Sequence, residues 1–231
     1  GFKGGDRTDI QLPQCQRDLI KAIHEAGKKV IYVNCSGSAI ALVPETETCE
    51  AVMQAWYPGE KGGDAVADVI FGDYNPSGKL PITFYRSVED LPDFLDYTMK
   101  NRTYRYFNGN PLWHFGYGMS YTSFEFGKPK YKQGKLTVDV KNSGKFDGDE
   151  VVQVYIRRID DVNGPIKTLK AFKRITLKAG EKQNICIDMP RESFEVWDAE
   201  TNTMRVVSGK YEVMVGNSSR AEDLKTITVK I

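Results

Sequence analysis

The chain has 231 residues, of which 40% are hydrophobic and 27% are charged, and its formal net charge at pH 7 is +1. This length accommodates two ordinary domains, and the composition is typical of a globular protein. A net charge so near zero gives no global field that would recruit nucleic acid or an anionic membrane, and no apolar run reaches the roughly 18 residues that a membrane-spanning helix needs.

The first predicted helix runs from Gln14 to Ala26 and ends at the stop signal Gly27. Its apolar residues Leu19, Ile20 and Ile23 recur at helical spacing, so we expect them to share one face. A run of nearly continuous apolar residues, Lys29–Asn34, follows. Such a run predicts a strand that is covered on both faces, as in a parallel sheet.

A second strand is predicted over Glu50–Trp56, after a connecting segment that begins at Pro44. The next helix opens after Gly62-Gly63 and closes at Gly72, before a turn of sequence Asn-Pro-Ser-Gly. Helices and strands therefore alternate, which favours a parallel α/β sheet. Only two or three strands are present, fewer than a stable layer normally has, so this part of the chain is expected to be incomplete by itself.

Residues 91–126 are rich in aromatic side chains but show no regular periodicity. A linker this apolar is unlike a free tether, because burying its rings would offset the entropy of ordering it. We therefore expect it to be pressed rigidly into the seam between two domains. The rings in and near it are those of Tyr97, Tyr104, Tyr106, Phe107, Trp113, Phe115, Tyr117, Tyr121, Phe124 and Phe126.

After Gly127 the hydrophobic pattern changes to a period of two, which is typical of half-buried strands. About seven strands without helices, separated by turns such as Asn142-Ser143-Gly144 and Ser208-Gly209, predict a fibronectin type III-like β-sandwich of the immunoglobulin type. Tyr211, near the start of the penultimate strand, predicts a tyrosine corner. The predicted strands lie around Leu136–Val140, Val152–Ile156, Ile185–Met189, Phe194–Trp197, Met204–Val207, Tyr211–Val215 and Thr226–Ile231.

The stretch Gln54–Phe84 closely resembles the second domain of glycoside hydrolase family 3, through its Trp-Tyr-Pro-Gly, Gly-Gly, Ala-Asp-Val, Phe-Gly and Asn-Pro-Ser-Gly-Lys-Leu-Pro motifs. Residues 102–107 and 115–124 are similar to the segment that joins the family's second and third domains. The Arg-Thr-Tyr-Arg form at 102–105 resembles its β-xylosidase branch more than its β-glucosidase branch. Residues 169–181 and 194–198 resemble the third domain.

The resemblance implies an α/β plus all-β protein with three parts. Residues 1–90 would be the C-terminal part of the family's α/β sandwich domain, an incomplete flavodoxin-like layer, and residues 91–126 the inter-domain linker. Residues 127–231 would be the fibronectin type III-like domain. The implied parent is a retaining, exo-acting β-xylosidase or β-glucosidase that hydrolyses terminal β-linked sugars of plant oligosaccharides.

Catalytic residues are not expected in this chain. Retaining glycosidases use two carboxyl groups about 5 Å apart, and in the family the nucleophilic Asp lies on an N-terminal (β/α)8 barrel, while the acid/base Glu lies on a loop upstream of the Gly4-Gly5-Asp6-Arg7 motif. Asp6 and Arg7 are the positions nearest the implied site, and as an adjacent acid and base they more often anchor a loop than touch a sugar. Trp56, like Tyr57 and Trp113, belongs to the residue types that stack on sugars but equally fill domain interfaces.

The sequence signals for other kinds of functional site are weaker. Gly62-Gly63-Asp64 could cradle an anion at a helix start, but it lacks the spacing of a phosphate loop, and Asp64 is better suited to capping the helix. Cys35-Ser36 at a strand end, with His24 or His114 as base, could form an independent hydrolase, yet the Gly-x-Ser-x-Gly elbow is missing. Two distant histidines and four scattered cysteines lack ligand spacing, which predicts no metal or cofactor.

The four cysteines, Cys15, Cys35, Cys49 and Cys186, are expected to be small buried residues. A stand-alone sandwich that binds carbohydrate or protein is the alternative function. The two hypotheses differ in burial, because a fragment should expose apolar surface near Val30–Val33 until the missing barrel, expected to pack on residues 1–126, or a homo-oligomer covers it. The family resemblance also implies a periplasmic or extracellular location, although the first residues show no signal pattern.

Overall fold

A computed structural model describes residues 8–231 of the chain. The described residues divide into two compact units. The first comprises residues 8–74, 82–103 and 107–113, and the second comprises residues 75–81, 104–106 and 114–231. The aromatic stretch 91–126 is therefore shared between the units.

The first unit is a small α/β layer in which helices and strands alternate as predicted. Its elements are α1 (Gln14–Glu25), β1 (Ile31–Asn34), α2 (Val43–Thr48), β2 (Ala51–Gln54) and α3 (Gly62–Phe71), and a 3-10 turn follows at Val88–Asp90. Strands β1 and β2 pair in parallel, with Ile31 opposite Ala51. The segment that begins at Pro44 was predicted as a connection, but it forms α2, because proline at the first turn of a helix loses no hydrogen bond.

Helix ends in this unit follow the glycine signals. Gly27 and Gly72 both adopt the left-handed conformation, with φ of 73° and 86°, and the amide of Gly72 donates to the carbonyl of Val69. Both stops were predicted from the sequence. The physical reason is that a residue without a Cβ atom occupies this region without strain.

The core of the first unit is small. Among the described residues its buried apolar cluster consists of Leu12, Ile20, Ile40 and Leu42. Of the predicted apolar face of α1 only Ile20 is buried, whereas Leu19 and Ile23 are exposed. The expectation that the first strand is covered on both faces is wrong for this structure, because Ile31 is 49% exposed. A two-stranded sheet lacks the neighbouring elements that would cover it.

The second unit is a β-sandwich. Residues 104–106 of a helical turn, α4 (Thr103–Tyr106), belong to it. Its strands are β3 (Phe124–Phe126), β4 (Lys130–Lys132), β5 (Lys135–Asn142), β6 (Gly148–Arg158), β7 (Thr168–Leu177), β8 (Lys182–Asp188), β9 (Glu195–Asp198), β10 (Thr203–Val206), β11 (Lys210–Gly216) and β12 (Leu224–Lys230). One sheet has the order β12-β11-β6-β7. In the other, β5 pairs with β3, β4 and β8, and β9 and β10 form a separate hairpin.

Alternate residues of the facing strands fill the sandwich core. Leu136, Val138 and Val140 of β5 pack with Val152 and Val154 of β6 and with apolar residues of β7, β8 and β11. The predicted period of two is therefore confirmed for the strands that face this core. Tyr211 is buried, and its hydroxyl donates a 2.7 Å hydrogen bond to the carbonyl of Val207, which confirms the tyrosine corner.

The structure corrects the strand list in three places. Strands β3, β4 and β7 were not predicted as strands. The expectation of no helices is wrong, because 3-10 turns lie at Arg191–Phe194 and Ala221–Asp223. Phe194, predicted to begin a strand, closes the first of these turns, and its buried ring packs edge-on against Tyr131 and Tyr211.

The expectation of buried cysteines is also wrong. Cys15, Cys35 and Cys186 are exposed and Cys49 is half-buried, and all four are free thiols. The reason is clearest on β8, where Ile185 and Ile187 are buried. Cys186 lies between them, so the pleat directs it to the solvent face.

Candidate functional site

The carboxyl ends of β1 and β2 carry a polar cluster. Asn34 ends β1, Gln54 ends β2, and Ser36 follows β1. The side-chain amide of Asn34 donates to Gln54 Oε1 at 2.6 Å and to Ser36 Oγ at 2.9 Å. Gln54 Nε2 in turn donates to the Ser36 carbonyl at 3.1 Å. This edge of a parallel sheet is where α/β proteins generally bind ligands.

The cluster satisfies its own polar groups. The hydroxyl of Tyr32 donates to Asn34 Oδ1 at 3.1 Å, and the hydroxyl of Ser36 donates to the Ser38 carbonyl at 2.9 Å. Burial, followed by the nearby carboxylate of Glu45, raises the pKa of Tyr32, so its hydroxyl remains a donor. Because the buried Asn34 is held from several sides, the network fixes the backbone around the strand ends.

Trp56 lies just beyond β2 with φ of 57°, a left-handed conformation that is uncommon for an aromatic residue. Its ring meets the buried ring of Phe84 edge-on at 6.2 Å, and Phe84 meets Trp113 at 5.5 Å. Trp56 and Trp113 are therefore used in packing within this unit.

Tyr57 behaves differently, because it is 78% exposed. One edge of its ring lies over Gly37, where an added Cβ atom would be 2.7 Å from Tyr57 Cε2. The absence of a side chain at Gly37 thus leaves room for the ring. Of the three aromatic residues whose type suits stacking on a sugar, Trp56, Tyr57 and Trp113, Tyr57 has the most exposed ring.

The turn before α3 is tight, as predicted. Gly62 is buried, and an added Cβ atom there would meet Pro58 Cβ at 2.4 Å. The prediction that Asp64 caps this helix is wrong: Lys61 is the N-cap residue, and Asp64 instead forms an exposed ion pair with the Lys61 ammonium at 3.2 Å. A carboxylate in the first turn disfavours an anion there.

The Cys35-Ser36 hydrolase hypothesis has no geometric support in residues 8–231. Ser36 Oγ is engaged by Asn34, Gln54 and the Ser38 carbonyl, and no histidine contributes to these bonds. His24 lies in the last turn of α1. His114 belongs to the second unit, so the nucleophile and base of such an enzyme are not brought together within the first unit.

Two predicted site residues, Asp6 and Arg7, lie outside the described residues, whereas Trp56 lies at the strand ends. Within the described part of the chain, no group of three or more His, Cys, Asp or Glu residues has the geometry to hold a metal ion. No helix among these residues is long and apolar enough to cross a membrane.

Asn34 and Gln54 were not among the predicted site residues. A signal for them was present, because each is the polar residue that ends an apolar strand, Ile-Tyr-Val-Asn and Ala-Val-Met-Gln. Parallel strands bring such terminal residues to the same edge of a sheet. The pairing of Asn34 with Gln54 in the register of the two strands follows directly.

The fold defines a class of protein with an incomplete parallel α/β layer followed by a fibronectin type III-like sandwich, as predicted. Residues 2–121 match the glycosyl hydrolase family 3 C-terminal domain, and residues 150–219 match the fibronectin type III-like domain. The first match spans more than half of the sequence. The chain belongs to glycosyl hydrolase family 3, which confirms the resemblance inferred from its motifs.

Two curated relatives are similar over nearly the whole chain. A xylan 1,4-beta-xylosidase of Xylanibacter ruminicola is 54% identical over 237 residues, which cover 100% of this chain and 27% of the relative. A periplasmic beta-glucosidase of Salmonella typhimurium is 38% identical over 94% of this chain and 31% of the relative. The chain therefore spans about a third or less of the length of these relatives and corresponds to their C-terminal part.

Solved structures of β-glucosidases also match nearly the whole chain, which again covers only about a third of their own length. A β-glucosidase from Kluyveromyces marxianus superposes with a TM-score of 0.87 at 34% identity, covering 98% of this chain and 29% of that protein. A β-glucosidase from Streptomyces venezuelae, solved in complex with D-glucose, gives a TM-score of 0.86 at 34% identity and covers 98% of this chain and 32% of that protein.

Proposed function

We propose that the chain is the C-terminal scaffold of a retaining, exo-acting β-xylosidase that removes terminal β-linked sugars from plant oligosaccharides. The observation that carries this proposal is the 54% identity to a xylan 1,4-beta-xylosidase along the full chain. The division at residues 90 and 126 and the packing of the aromatic linker between domains belong to the same proposal.

The burial of the first unit supports a scaffold rather than a stand-alone binding module. Its strand β1 exposes Ile31. In α3 the one buried residue is Gly62, which has no side chain. Apolar elements left half-covered are typical of a layer that packs against further polypeptide. In the proposed parent enzyme this polypeptide includes the N-terminal barrel.

The chemistry of the proposed reaction assigns the chain a supporting role. A retaining glycosidase needs a nucleophilic carboxylate and a carboxylic acid on opposite sides of the scissile bond. We assign both to the polypeptide upstream of this chain and neither to a described residue. The strand-end surface of Trp56 and Tyr57 would contribute a wall of the sugar site, with Tyr57 as the stacking ring, and Asp6 and Arg7 would lie near it.

Hydrolysis of chromogenic glycosides tests the proposal. The purified 231-residue chain should give no turnover of β-xylosides, β-glucosides or α-arabinosides above buffer. The protein produced from the whole gene should hydrolyse one class of them, and this would identify the sugar. Turnover by the chain alone, sensitive to substitution of its own carboxylates, would contradict the scaffold role.

The proposed location is the periplasm or the cell exterior, where plant oligosaccharides are found. One relative carries the name periplasmic beta-glucosidase. Fractionation of the producing cells, followed by activity in the periplasmic and medium fractions, would test it. Activity confined to the cytoplasmic fraction would contradict it.

A further inference from the structure

The loop that follows β1 and the side chain of Tyr57 meet at the strand ends of the first unit. The three atoms nearest to a Cβ atom added at Gly37 all belong to Tyr57: Cε2 at 2.7 Å, and Cζ and Oη at 3.4 Å each. The contact is therefore made by one edge of the ring. Tyr57 is 78% exposed, so this contact leaves most of the ring open to solvent.

Ser36 fixes the loop immediately before Gly37. Its hydroxyl accepts from the side-chain amide of Asn34 at 2.9 Å and from that of Gln54 at 3.3 Å, and it donates to the Ser38 carbonyl at 2.9 Å. Gln54 Nε2 also donates to the Ser36 carbonyl at 3.1 Å. Gly37 is itself exposed, but both of its neighbours are bonded, so its backbone is tied to the ends of both strands.

Trp56 fixes the backbone on the other side of the contact. Its φ of 57° lies in the left-handed region, and its ring packs edge-on against the buried Phe84. The side chain of Tyr57 thus leaves from an anchored position. Its two side-chain torsions still allow several rotamers there, and the contact with Gly37 selects the one that places the ring against the loop.

We propose that Gly37 is a positioning residue for sugar binding, because it holds the Tyr57 ring in the orientation in which the ring stacks on the substrate. This inference rests on the proposed function, in which Tyr57 is the stacking ring of the sugar site. It also gives a purpose to the polar cluster of Asn34, Ser36 and Gln54, which fixes the backbone that the ring contacts. A ring that is oriented before binding loses less conformational entropy when a sugar covers it.

Alanine at position 37 separates the position of the ring from the fold. The backbone of Gly37 lies outside the left-handed region, so alanine brings no backbone strain there. A Cβ atom only 2.7 Å from Tyr57 Cε2 is incompatible with the present ring position, and the exposed ring can rotate away into solvent. Gly37→Ala should therefore displace the ring and leave the fold intact. The matched control is Gly63→Ala in α3, where an added Cβ atom meets no atom within 4 Å.

NMR spectroscopy of the 231-residue chain tests the contact independently of any activity. An aromatic ring shifts the resonances of the protons that lie close to it. Tyr57→Ala should therefore move the α-proton resonances of Gly37 and leave those of Gly63 unchanged. Unchanged Gly37 resonances would overturn the proposal, because they would show that the ring does not rest on this residue in solution.

Kinetics of the longer protein, produced from the whole gene, test the function of the contact. Gly37→Ala should raise KM for a chromogenic xyloside about two- to tenfold, which corresponds to one aromatic stacking contact. The value of kcat should stay the same, as expected when an interaction made equally in the ground state and the transition state is lost. Gly63→Ala should change neither constant. A structural defect would instead lower kcat through the fraction of active enzyme and leave KM unchanged, and this result would overturn the positioning role.

The double variant Gly37→Ala, Tyr57→Ala provides the sharpest comparison. Once the ring is absent, a methyl group at position 37 has no ring to displace. The KM of the double variant should therefore equal that of Tyr57→Ala. Independent effects would multiply instead, and a KM raised by the product of the two single effects would overturn the proposal.

This proposal and the proposed function fail in different ways. A longer protein whose KM responds to Tyr57→Ala but not to Gly37→Ala would keep the reaction and the stacking ring and reject the role of Gly37. A longer protein that hydrolyses none of the glycosides would reject the proposed reaction, and with it any role of Gly37 in sugar binding, even where the NMR spectra show the contact.

Discussion

Lys79 and Glu150 form a buried ion pair in the second unit, with Lys79 Nζ 2.7 Å from Glu150 Oε1. The Lys79 ammonium also donates to the carbonyl of Gly118 at 3.2 Å, and Glu150 Oε2 accepts from the Asn217 side chain at 2.9 Å. The pair attaches the Asn-Pro-Ser-Gly-Lys motif to strand β6. A lysine in the middle of a family motif is thus explained by its carboxylate partner 71 positions later in the chain.

Removing one partner of this pair should destabilise the chain strongly. Lys79→Met leaves the Glu150 carboxylate buried without its cation, and such losses cost about 3–5 kcal/mol. Urea unfolding followed by circular dichroism measures the effect. The control is Lys182→Met, because Lys182 pairs with Asp139 at 2.8 Å on the surface, where a pair is worth about 1 kcal/mol or less. Similar losses for both variants would contradict the argument.

The double variant Lys79→Met, Glu150→Leu separates the desolvation cost from other effects of the mutations. It should recover part of the stability lost in Lys79→Met, since no buried charge remains. A double variant less stable than Lys79→Met would mean that Glu150 stabilises the unit mainly through Asn217 rather than through Lys79.

The tyrosine corner gives a second prediction. Tyr211→Phe keeps the packing against Phe194 but removes the hydrogen bond to the Val207 carbonyl. The loss should be about 1 kcal/mol, because a partly buried acceptor loses its donor. Tyr57→Phe removes an exposed hydroxyl and should change the unfolding midpoint by less than the experimental error. An equally small effect of Tyr211→Phe would argue against the structural role of the corner.

The sequence predicts the sandwich well on its inner face and poorly on its outer face. Val152 and Val154 alternate as a half-buried strand requires, but the residues between and after them, Gln153 and Tyr155, are also buried. Tyr104 and Phe115 stack at 4.2 Å, and Tyr104 meets Tyr155 at 5.8 Å. Cover of this kind comes from segments distant in sequence, so a local period of two cannot reveal it.

Strand β7 was missed for a related reason. It pairs with β6 through a register irregularity between Val154 and Tyr155, and its Lys170, Lys173 and Arg174 interrupt the apolar alternation. Lys170 is half-buried, and its ammonium is satisfied there by donating to the Glu195 carbonyl. A strand whose long cationic side chains extend along the surface to distant carbonyls lacks the pattern that a local window detects.

The structure divides the roles of two residues that the sequence placed together at the candidate site. The Trp-Tyr-Pro-Gly motif lies just after the end of β2, where Trp56 and Tyr57 are found. The sequence did not show that Trp56 packs on Phe84 while Tyr57 stays exposed. That division depends on the left-handed backbone at Trp56, a tertiary feature that residue type alone does not encode.

Exposure at the strand ends predicts a role for Tyr57 in substrate binding by the longer protein. Tyr57→Ala should raise KM for a chromogenic xyloside about two- to tenfold, which corresponds to the 0.5–1.5 kcal/mol of an aromatic stacking contact. Trp197→Ala is the control, because Trp197 is exposed on β9 of the sandwich. Unchanged KM for Tyr57→Ala would remove the strand ends from the proposed sugar site.

His114 gives the second unit a predicted dependence of stability on pH. Burial lowers its pKa, as do the nearby charges of Lys167 and Arg220, while Glu222 and Asp223 act in the opposite direction. Its folded-state pKa therefore lies below the unfolded value of about 6.5.

Between these two values the unfolded chain binds more protons, so the free energy of unfolding decreases as the pH falls through this window. His114→Gln should remove that contribution. The wild-type chain should lose more stability than His114→Gln between about pH 7.5 and about pH 5, as measured by urea unfolding. His24→Gln, at an exposed histidine of α1, is the control for replacing a histidine as such. Parallel curves for the wild-type chain and His114→Gln would show instead that His114 is as easily protonated in the folded chain as in the unfolded one.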